Sequence, residues 1–509
     1  MTTTASSIQA ALNGRGAALS GLARMSGWVT YALIVVLLVE ALFEGWLLAL
    51  LAHGAVDGTT VAGLDIASWV KAVRNGGYLA LGVSSLIHVV AKRQLHLFLK
   101  PVDVAFVLLA VVLLVAGLAG GSSVVLTLHG MFVYLRGAIL FYAVRALAPD
   151  WSRARPVVWL VGAIVALNVA IAVIQGLLGA PAYTALGFTD LTWANAHRAQ
   201  GLLSHPNHLG HIVGLSMLGV VAWNLRHMRF RWWILFGFLA LGLALAQSRE
   251  SSVAVLVGIV AIAFLQSGYF RKLVGALVVT IVVTGLVWTV QPGSWRELTL
   301  KIGGVISAVQ VPSGAESGQS CDPATQDCTA TGLPRRATRV LFYQQGLRLW
   351  LGSPLLGYGV GQFGGGVASQ HNPDWNLNPR FGPEGFNLHG FQGTQVDSFW
   401  LHLVVETGAI GTAAYVLWIA LLGFPSVRRS WRARYDRNSG AVTAADHPGD
   451  RWAPVAILFG GVVAGFSPAL EDPLFPPLLF GILGLAWTLG RGSAPEQAPD
   501  DPAAIPSRA

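Results

Sequence analysis

The sequence predicts an all-α polytopic membrane protein. About twelve transmembrane helices are expected, with a large extracytoplasmic loop between spans 9 and 10 that contains an amphipathic helix. Three observations predict this. Of 509 residues, 54% are hydrophobic and only 11% are charged, whereas about a quarter of a soluble domain is charged. The mean hydropathy is +0.59. Apolar runs approaching the ~20 residues that cross a bilayer follow one another along the chain. These figures exclude an ordinary soluble enzyme, and they exclude disorder, which needs low hydrophobicity and high charge. The net charge of +9 fits basic cytoplasmic loops in a membrane protein better than nucleic-acid binding. Two cysteines are too few for a disulfide framework or a Cys-rich metal site.

The first apolar run, 28–52, is too long for a cleaved signal peptide and reads as an uncleaved first span. Further runs follow at 76–91, 102–119, 122–146, 156–178, 206–224, 232–247, 251–267 and 271–291, and then at 397–424, 453–469 and 473–489. The expected organisation is a cytoplasmic tail over 1–27, spans 1 to 9 over 28–291, an extracytoplasmic loop over 292–396, spans 10 to 12 over 397–489, and a Pro-rich disordered cytoplasmic tail over 490–509. With the N-terminus inside, the inside segments hold 21 of the Lys and Arg residues and the outside segments 11, seven of those in the long loop. That bias sets both termini in the cytoplasm and the loop outside. In the loop, 339–351 has helical periodicity. It reads as an amphipathic helix at the outer interface with Trp350 at headgroup depth. Cys321 and Cys328 in the same loop can close a small disulfide ring with a structural role. A loop this long in a compact protein is usually functional.

Cations at the outer face are the first functional candidates. Arg198 precedes Ala-Gln-Gly-Leu-Leu-Ser-His-Pro-Asn-His-Leu-Gly, which leads into the sixth span. Pro206 suits a first helical turn, with Ser204 or His205 as cap. A helix N-terminus beside an arginine is an anion site; interfacial snorkelling is the plainer alternative. Arg249 sits in a very short outside turn, where Glu250 can pair with it. Arg136 lies inside the fourth span, which is costly and marks function by default; an ion pair with Glu40 or Glu44 is the rival explanation. Arg335, Arg336, Arg339 and Arg348 add four cations on and before the amphipathic helix. Arginine is the residue for bidentate grip on phosphate, so the set points to an anionic lipid headgroup or a pyrophosphate. The blander alternative is contact with ordinary anionic lipid.

Acid–base candidates are few. Asp397 opens the tenth span, where it can also be a simple N-cap. Glu406 lies deeper in that span, and His389 precedes it in a loop. Any of the three can accept a proton from a sugar hydroxyl. His205, His208 and His211 have metal-like spacing but no carboxylate in the motif, and no metal is expected. The run Gly357-Tyr-Gly-Val-Gly-Gln-Phe-Gly-Gly-Gly lacks a preceding strand and a Walker lysine. It reads as a tight turn that lets backbone approach the membrane or a substrate.

Four motifs, in this order, resemble the bacterial O-antigen ligase/polymerase superfamily. They are Arg198 to Leu209; Ser248-Arg249; Arg348-Leu-Trp-Leu-Gly-Ser-Pro-Leu-Leu-Gly-Tyr-Gly-Val-Gly-Gln-Phe363, the most specific; and Val396-Asp-Ser-Phe-Trp-Leu-His-Leu-Val-Val-Glu-Thr-Gly-Ala-Ile-Gly411. They cover roughly 195–420, while the first 190 residues match only in hydropathy. The resemblance implies a GT-C type membrane glycosyltransferase in the bacterial cytoplasmic (inner) membrane, with its active site on the extracytoplasmic face. It would use glycans on undecaprenyl pyrophosphate, with no cofactor, metal or nucleotide sugar. Its partners would be the undecaprenyl-pyrophosphate-linked oligosaccharide, a lipid-linked acceptor glycan, membrane lipids and a chain-length regulator. By position, Arg198 and Arg249 would grip the donor pyrophosphate, joined by Arg348, Arg339 or Arg136. Ligases of the family typically carry His-Asn where this chain has Val396-Asp397. That departure favours a polymerase, inverting and metal-independent, serving O-antigen or exopolysaccharide assembly. The alternatives are a ligase moving the glycan to lipid A core and a twelve-span transporter; the position of the large loop argues against the transporter.

Overall fold

The computed structural model describes residues 2–54, 66–225, 227–266, 269–290, 319–322, 327–330, 338–383, 385–388, 391–392, 396–438 and 448–489. Among the described residues, most of each apolar run falls in a helix. These helices are α1 (Thr2–Gly54), α2 (Ile66–Ala91), α3 (Pro101–Ala119), α4 (Val124–Leu147) and α5 (Trp151–Leu178), then, after the short α6 (Ala180–Ala185) and α7 (Thr192–Asn195), α8 (Pro206–Asn224), α9 (Phe230–Ala246), α10 (Arg249–Leu265) and α11 (Phe270–Val290). After the long connection come α12 (Thr338–Gly352), α13 (Gly366–His371), α14 (Phe399–Asn438), α15 (Pro448–Phe466) and α16 (Phe475–Leu489). Six helices among the described residues are long and apolar enough to cross a membrane, and α9 and α16 are shorter apolar helices. The second helix starts ten residues before the expected run because Arg74 is neutralised within the bundle. It pairs with Glu44 of α1 and lies 3.9 Å from Glu40.

The described residues are overwhelmingly helical, in keeping with the expected all-α class, and the long connection adds only short strands. It carries two antiparallel hairpins, β1 (Gln319–Asp322) with β2 (Asp327–Ala330) and β3 (Asn387–Leu388) with β4 (Phe391–Gln392). The backbone of Cys321 sits directly opposite Cys328 in the first hairpin. Their side chains, those of Arg335, Arg336 and Arg339, and residue His389 lie outside the described residues.

The amphipathic segment is helix α12, and its buried face is turned to protein. Phe342 and Leu349 are buried, and a Cβ on Gly346 would meet the Leu401 side chain at 2.6 Å. The Tyr343 hydroxyl bonds the Ser398 hydroxyl at 2.8 Å and also reaches the Gly465 carbonyl. Helix α12 therefore packs on the first turns of α14, while Leu347 and Leu351 stay exposed on its other side. A helical periodicity read from sequence does not distinguish a lipid neighbour from a protein one.

Helix α14 is broken at Gly408, whose φ of 64° and ψ of −166° are not helical. The segment after α12 heals the break. The backbone N–H groups of Ala409 and Ile410 donate to the carbonyls of Pro354 and Leu355, and those of Tyr358 and Gly359 donate to the carbonyls of Val405 and Glu406. Only glycine adopts this conformation readily, at a cost of about 1–3 kcal/mol for any other residue. A Cβ there would also lie 2.3 Å from the Leu355 carbonyl carbon. Gly408→Ala should therefore lower the thermal unfolding temperature of the protein in detergent. An unchanged transition would contradict the proposed seam between α14 and the glycine-rich segment.

Candidate functional site

The residues that carry chemistry gather where α8, α10, α14 and α16 begin. The chain approaches α8 through the turn 199–203, whose residues are all buried. Buried backbone needs partners, and two amides of α5 supply them. Gln175 Oε1 accepts from the backbone N–H of Gln200 (3.0 Å) and of Gly201 (2.8 Å), and its Nε2 donates to the Gly201 carbonyl (2.9 Å). Asn168 Oδ1 accepts from the Leu202 N–H at 2.8 Å. Helix α1 closes the turn, with Trp46 N–H donating to the Leu202 carbonyl and Ala199 N–H reaching Leu245 at the end of α9. A Cβ on Gly45 would collide with the Leu203–Ser204 peptide at 2.2 Å, so glycine is what lets α1 come this close.

The turn delivers Arg198 beside the start of α8. Its Nη2 donates to Asn207 Oδ1 at 2.6 Å, its Nε to the Ala246 carbonyl at 3.1 Å, and its guanidinium lies 5.2 Å from the Trp193 ring centroid. His205 is the N-cap of α8, its Nδ1 accepting from the Asn207 N–H at 3.0 Å. Accepting requires a neutral ring, and burial, helped by His208 and Arg198, lowers its pKa to about 3. Arg249 is exposed at the start of α10. Its neighbour Ser248 presses on α8, because a Cβ on Gly210 would meet the Ser248 Cβ at 2.4 Å. The turn bearing Arg198 and the turn bearing Arg249 are thus stitched together, with Gln247 Nε2 donating to the His197 carbonyl at 2.9 Å. Glu250 is buried 3.9 Å from His211 Nε2.

Two adjacent carboxylates between α15 and α16 fan out to two helices. Glu471 Oε1 meets His402 Nδ1 of α14 at 2.6 Å. Asp472 Oδ2 meets His208 Nε2 of α8 at 3.0 Å, and His208 Nδ1 in turn meets the Ser204 hydroxyl at 3.0 Å. Burial pushes the Asp472 carboxyl upward, but His208, His211 and Arg136 together hold it below the usual carboxylate range. The three histidines of α8 stack along one face at ring separations of 5.7 and 6.1 Å. Among the described residues, no group of three or more His, Cys, Asp or Glu side chains is arranged to hold a metal ion.

The remaining candidates fall elsewhere. Glu406 is 2% exposed, and its carboxylate is saturated: it accepts from the Tyr134 hydroxyl (2.7 Å), Gly361 N–H (2.8 Å) and Phe363 N–H (2.9 Å). The glycine run thus wraps a carboxylate of its own chain. Gly357, Gly359, Gly361 and Gly364 all take positive φ to do so. Asp397 is half-buried, and the cap at the start of α14 is Ser398, whose hydroxyl accepts from the Leu401 N–H at 3.3 Å. Arg348 is exposed on α12. Arg136 is 4% exposed. Arg74 holds Glu44, and among the described residues the Arg136 Nε and Nη2 have no hydrogen-bond partner; the ion pair weighed for Arg136 with Glu40 or Glu44 is taken by Arg74, which α2 brings alongside α1.

Sequence reasoning missed Gln175, Asn168, Glu471, Asp472 and His402. The signals were present: lone amides inside an apolar run, and two adjacent acids between the last two runs.

Residues 234–416 match the family model described as O-Antigen ligase. The match supports a relation to the O-antigen ligase/polymerase superfamily, whose members are glycosyltransferase-like ligases and polymerases. It spans α9 to the middle of α14 and so includes Arg249, the glycine run and Glu406, while Arg198, His208 and Asp472 lie outside it. A comparison with curated proteins gives no match.

Gln175→Leu would strand two backbone N–H groups and a carbonyl in the buried turn, each costing about 1–3 kcal/mol. It should destabilise the protein by about 3 kcal/mol or more in thermal unfolding. A stability equal to wild type would mean that the turn does not depend on Gln175.

Proposed function

We propose that the protein is a polymerase that transfers undecaprenyl-pyrophosphate-linked glycan repeat units onto a lipid-linked acceptor at the outer face of the bacterial cytoplasmic membrane. The observation that carries this reading is the cluster of Arg198, Asn207, the start of α8 and the Arg249 turn, beside the His208–Asp472 pair. Arg198 and Arg249 bind the donor pyrophosphate. They stabilise the charge that develops on the leaving oxygen, a task for which preorganised cations in a dry site are suited. The carbonyl of Ala246 and the amide of Asn207 fix the Arg198 fork in advance, so little reorganisation accompanies the reaction. Arg136 adds positive potential from inside the bundle, behind Asp472. Arg348 and Arg339 are kept as further phosphate-binding groups, and Asp397 and His389 as further acid–base groups, on the sequence reading alone. Glu406 serves as the anchor of the glycine run.

The reaction is a single displacement with inversion at the anomeric carbon. The acceptor hydroxyl attacks, and the carbon–oxygen bond to the pyrophosphate breaks. No metal enters this scheme. The outward orientation of the site rests on the Lys and Arg bias, which favours cytoplasmic placement of the ends carrying Lys100, Arg153, Arg229, Arg271 and Arg429. The Val396-Asp397 pair, in place of the His-Asn of ligases, supports polymerase over ligase.

The test is purified protein with a lipid-pyrophosphate oligosaccharide, with and without a separate lipid acceptor, resolved on a gel. A ladder from the donor alone supports polymerisation. A single shifted band that requires the separate acceptor makes the protein a ligase, and no product in either case rejects glycan transfer. Arg198→Ala and Arg249→Ala should each lower transfer by roughly 100-fold or more while the protein still inserts. Full activity in either variant removes that arginine from the site.

A further inference from the structure

We infer that His208, oriented by Asp472, is the general base that takes the proton from the attacking acceptor hydroxyl. This rests on the glycan-transfer reading above. The hydrogen-bond chain itself sets the direction of the proton. Asp472 is ionised and can only accept, so the His208 Nε2 carries the proton in the 3.0 Å contact with Asp472 Oδ2. The other ring nitrogen, Nδ1, then holds a lone pair, and the Ser204 hydroxyl donates to it at 3.0 Å. A lone pair already bonded to a hydroxyl is the geometry a general base needs. Ser204 is exposed, and the His208 side chain is 16% exposed, so this nitrogen is the end of the hydrogen-bond chain that meets an exposed group. A sugar hydroxyl that takes the place of the Ser204 hydroxyl receives the same hydrogen bond.

The position agrees with the donor side. Asn207, the residue before His208, is held by Arg198, so base and phosphate clamp are one residue apart at the start of one helix. In the step, the acceptor O–H proton moves to His208 Nδ1 and the oxygen bonds the anomeric carbon. The bond from that carbon to the pyrophosphate oxygen breaks, and its electron pair leaves on the pyrophosphate against Arg198. Asp472 stabilises the imidazolium that forms, as a buried carboxylate does behind a catalytic histidine. The other groups acting on His208 are Glu44 of α1, the neutral His205, and His211. Glu406 is unsuited to the task, since both of its oxygens already accept hydrogen bonds.

Two variants test the assignment in the full-length protein, with the lipid-pyrophosphate oligosaccharide as substrate. Asp472→Asn keeps the volume, and its amide can donate to Nε2, which turns the ring to the tautomer with a proton on Nδ1. It should lower transfer by roughly 100-fold or more with little change in thermal stability, an outcome that a merely structural link between α8 and the 470–474 turn does not give. His208→Ala should lose a similar factor, and added imidazole should restore part of it while donor binding is retained. Asp472→Asn at the wild-type rate, or a His208→Ala variant that imidazole does not restore, overturns the proposal. If His208→Ala does not accumulate in membranes, Asp472→Asn decides alone. A glycan adduct found on Ser204 by mass spectrometry also overturns it, because the serine is then a nucleophile. Wild-type protein that makes no product from the donor, with or without a separate lipid acceptor, rejects the transfer reading itself, an outcome distinct from active wild type with active variants.

Discussion

A backbone that leaves helical geometry inside an apolar bundle must find hydrogen-bond partners in protein, because no water is there to supply them. The arrangement of this molecule follows from that constraint at three places. The break at Gly408 is filled by the carbonyls of Pro354 and Leu355. The glycine run that provides them closes on the Glu406 carboxylate. The turn before α8 is satisfied by Gln175 and Asn168 of α5. Each irregular segment is thus fixed by polar groups from another stretch of the chain.

The consequence is a site whose parts come from distant stretches of chain yet have little freedom. Arg198 has two of its guanidinium nitrogens engaged and a tryptophan beside it. His208 and His402 are each held by one of two neighbouring carboxylates, so the short turn between α15 and α16 sets the ring orientation on two other helices. Rigid placement of this kind suits a reaction in which positioning and charge stabilisation supply most of the acceleration. The exposed apolar residues along α12, Leu347 and Leu351, continue to Leu355 in the following turn. They give that flank of the site an apolar surface compatible with its place at a membrane.

Much of the fold was legible in the sequence because burial in lipid and burial in protein both demand apolar runs, and among the described residues most of each run is helical. The glycine signature was legible as a special backbone, but its partner was not. Nothing in a glycine pattern says that a carboxylate 43 to 45 residues later will receive its N–H groups. The same limit explains Asp397 and Ser398: both are good N-caps, and the structure assigns the cap to Ser398. Arg198 and Arg249 stood out as cations at short turns, and the stitching of those turns was beyond sequence reasoning. His208 was noticed only as one of three evenly spaced histidines. Its carboxylate partner lies 264 residues away, and pairings across that distance leave no local pattern. Lone amides inside apolar runs and acids between them, such as Gln175 and Asp472, are the features that deserved more weight, since buried polar groups need partners.

The most direct measurement is an electron cryomicroscopy structure of the protein in a lipid nanodisc with a non-hydrolysable lipid-pyrophosphate oligosaccharide. The account predicts phosphate density against Arg198 and the Arg249 turn, with the anomeric carbon of the first sugar facing His208 Nδ1 across a gap that an acceptor hydroxyl fills. Phosphate density seated on Arg348, or at the basic ends of the helices around Arg229 and Arg429, would contradict it.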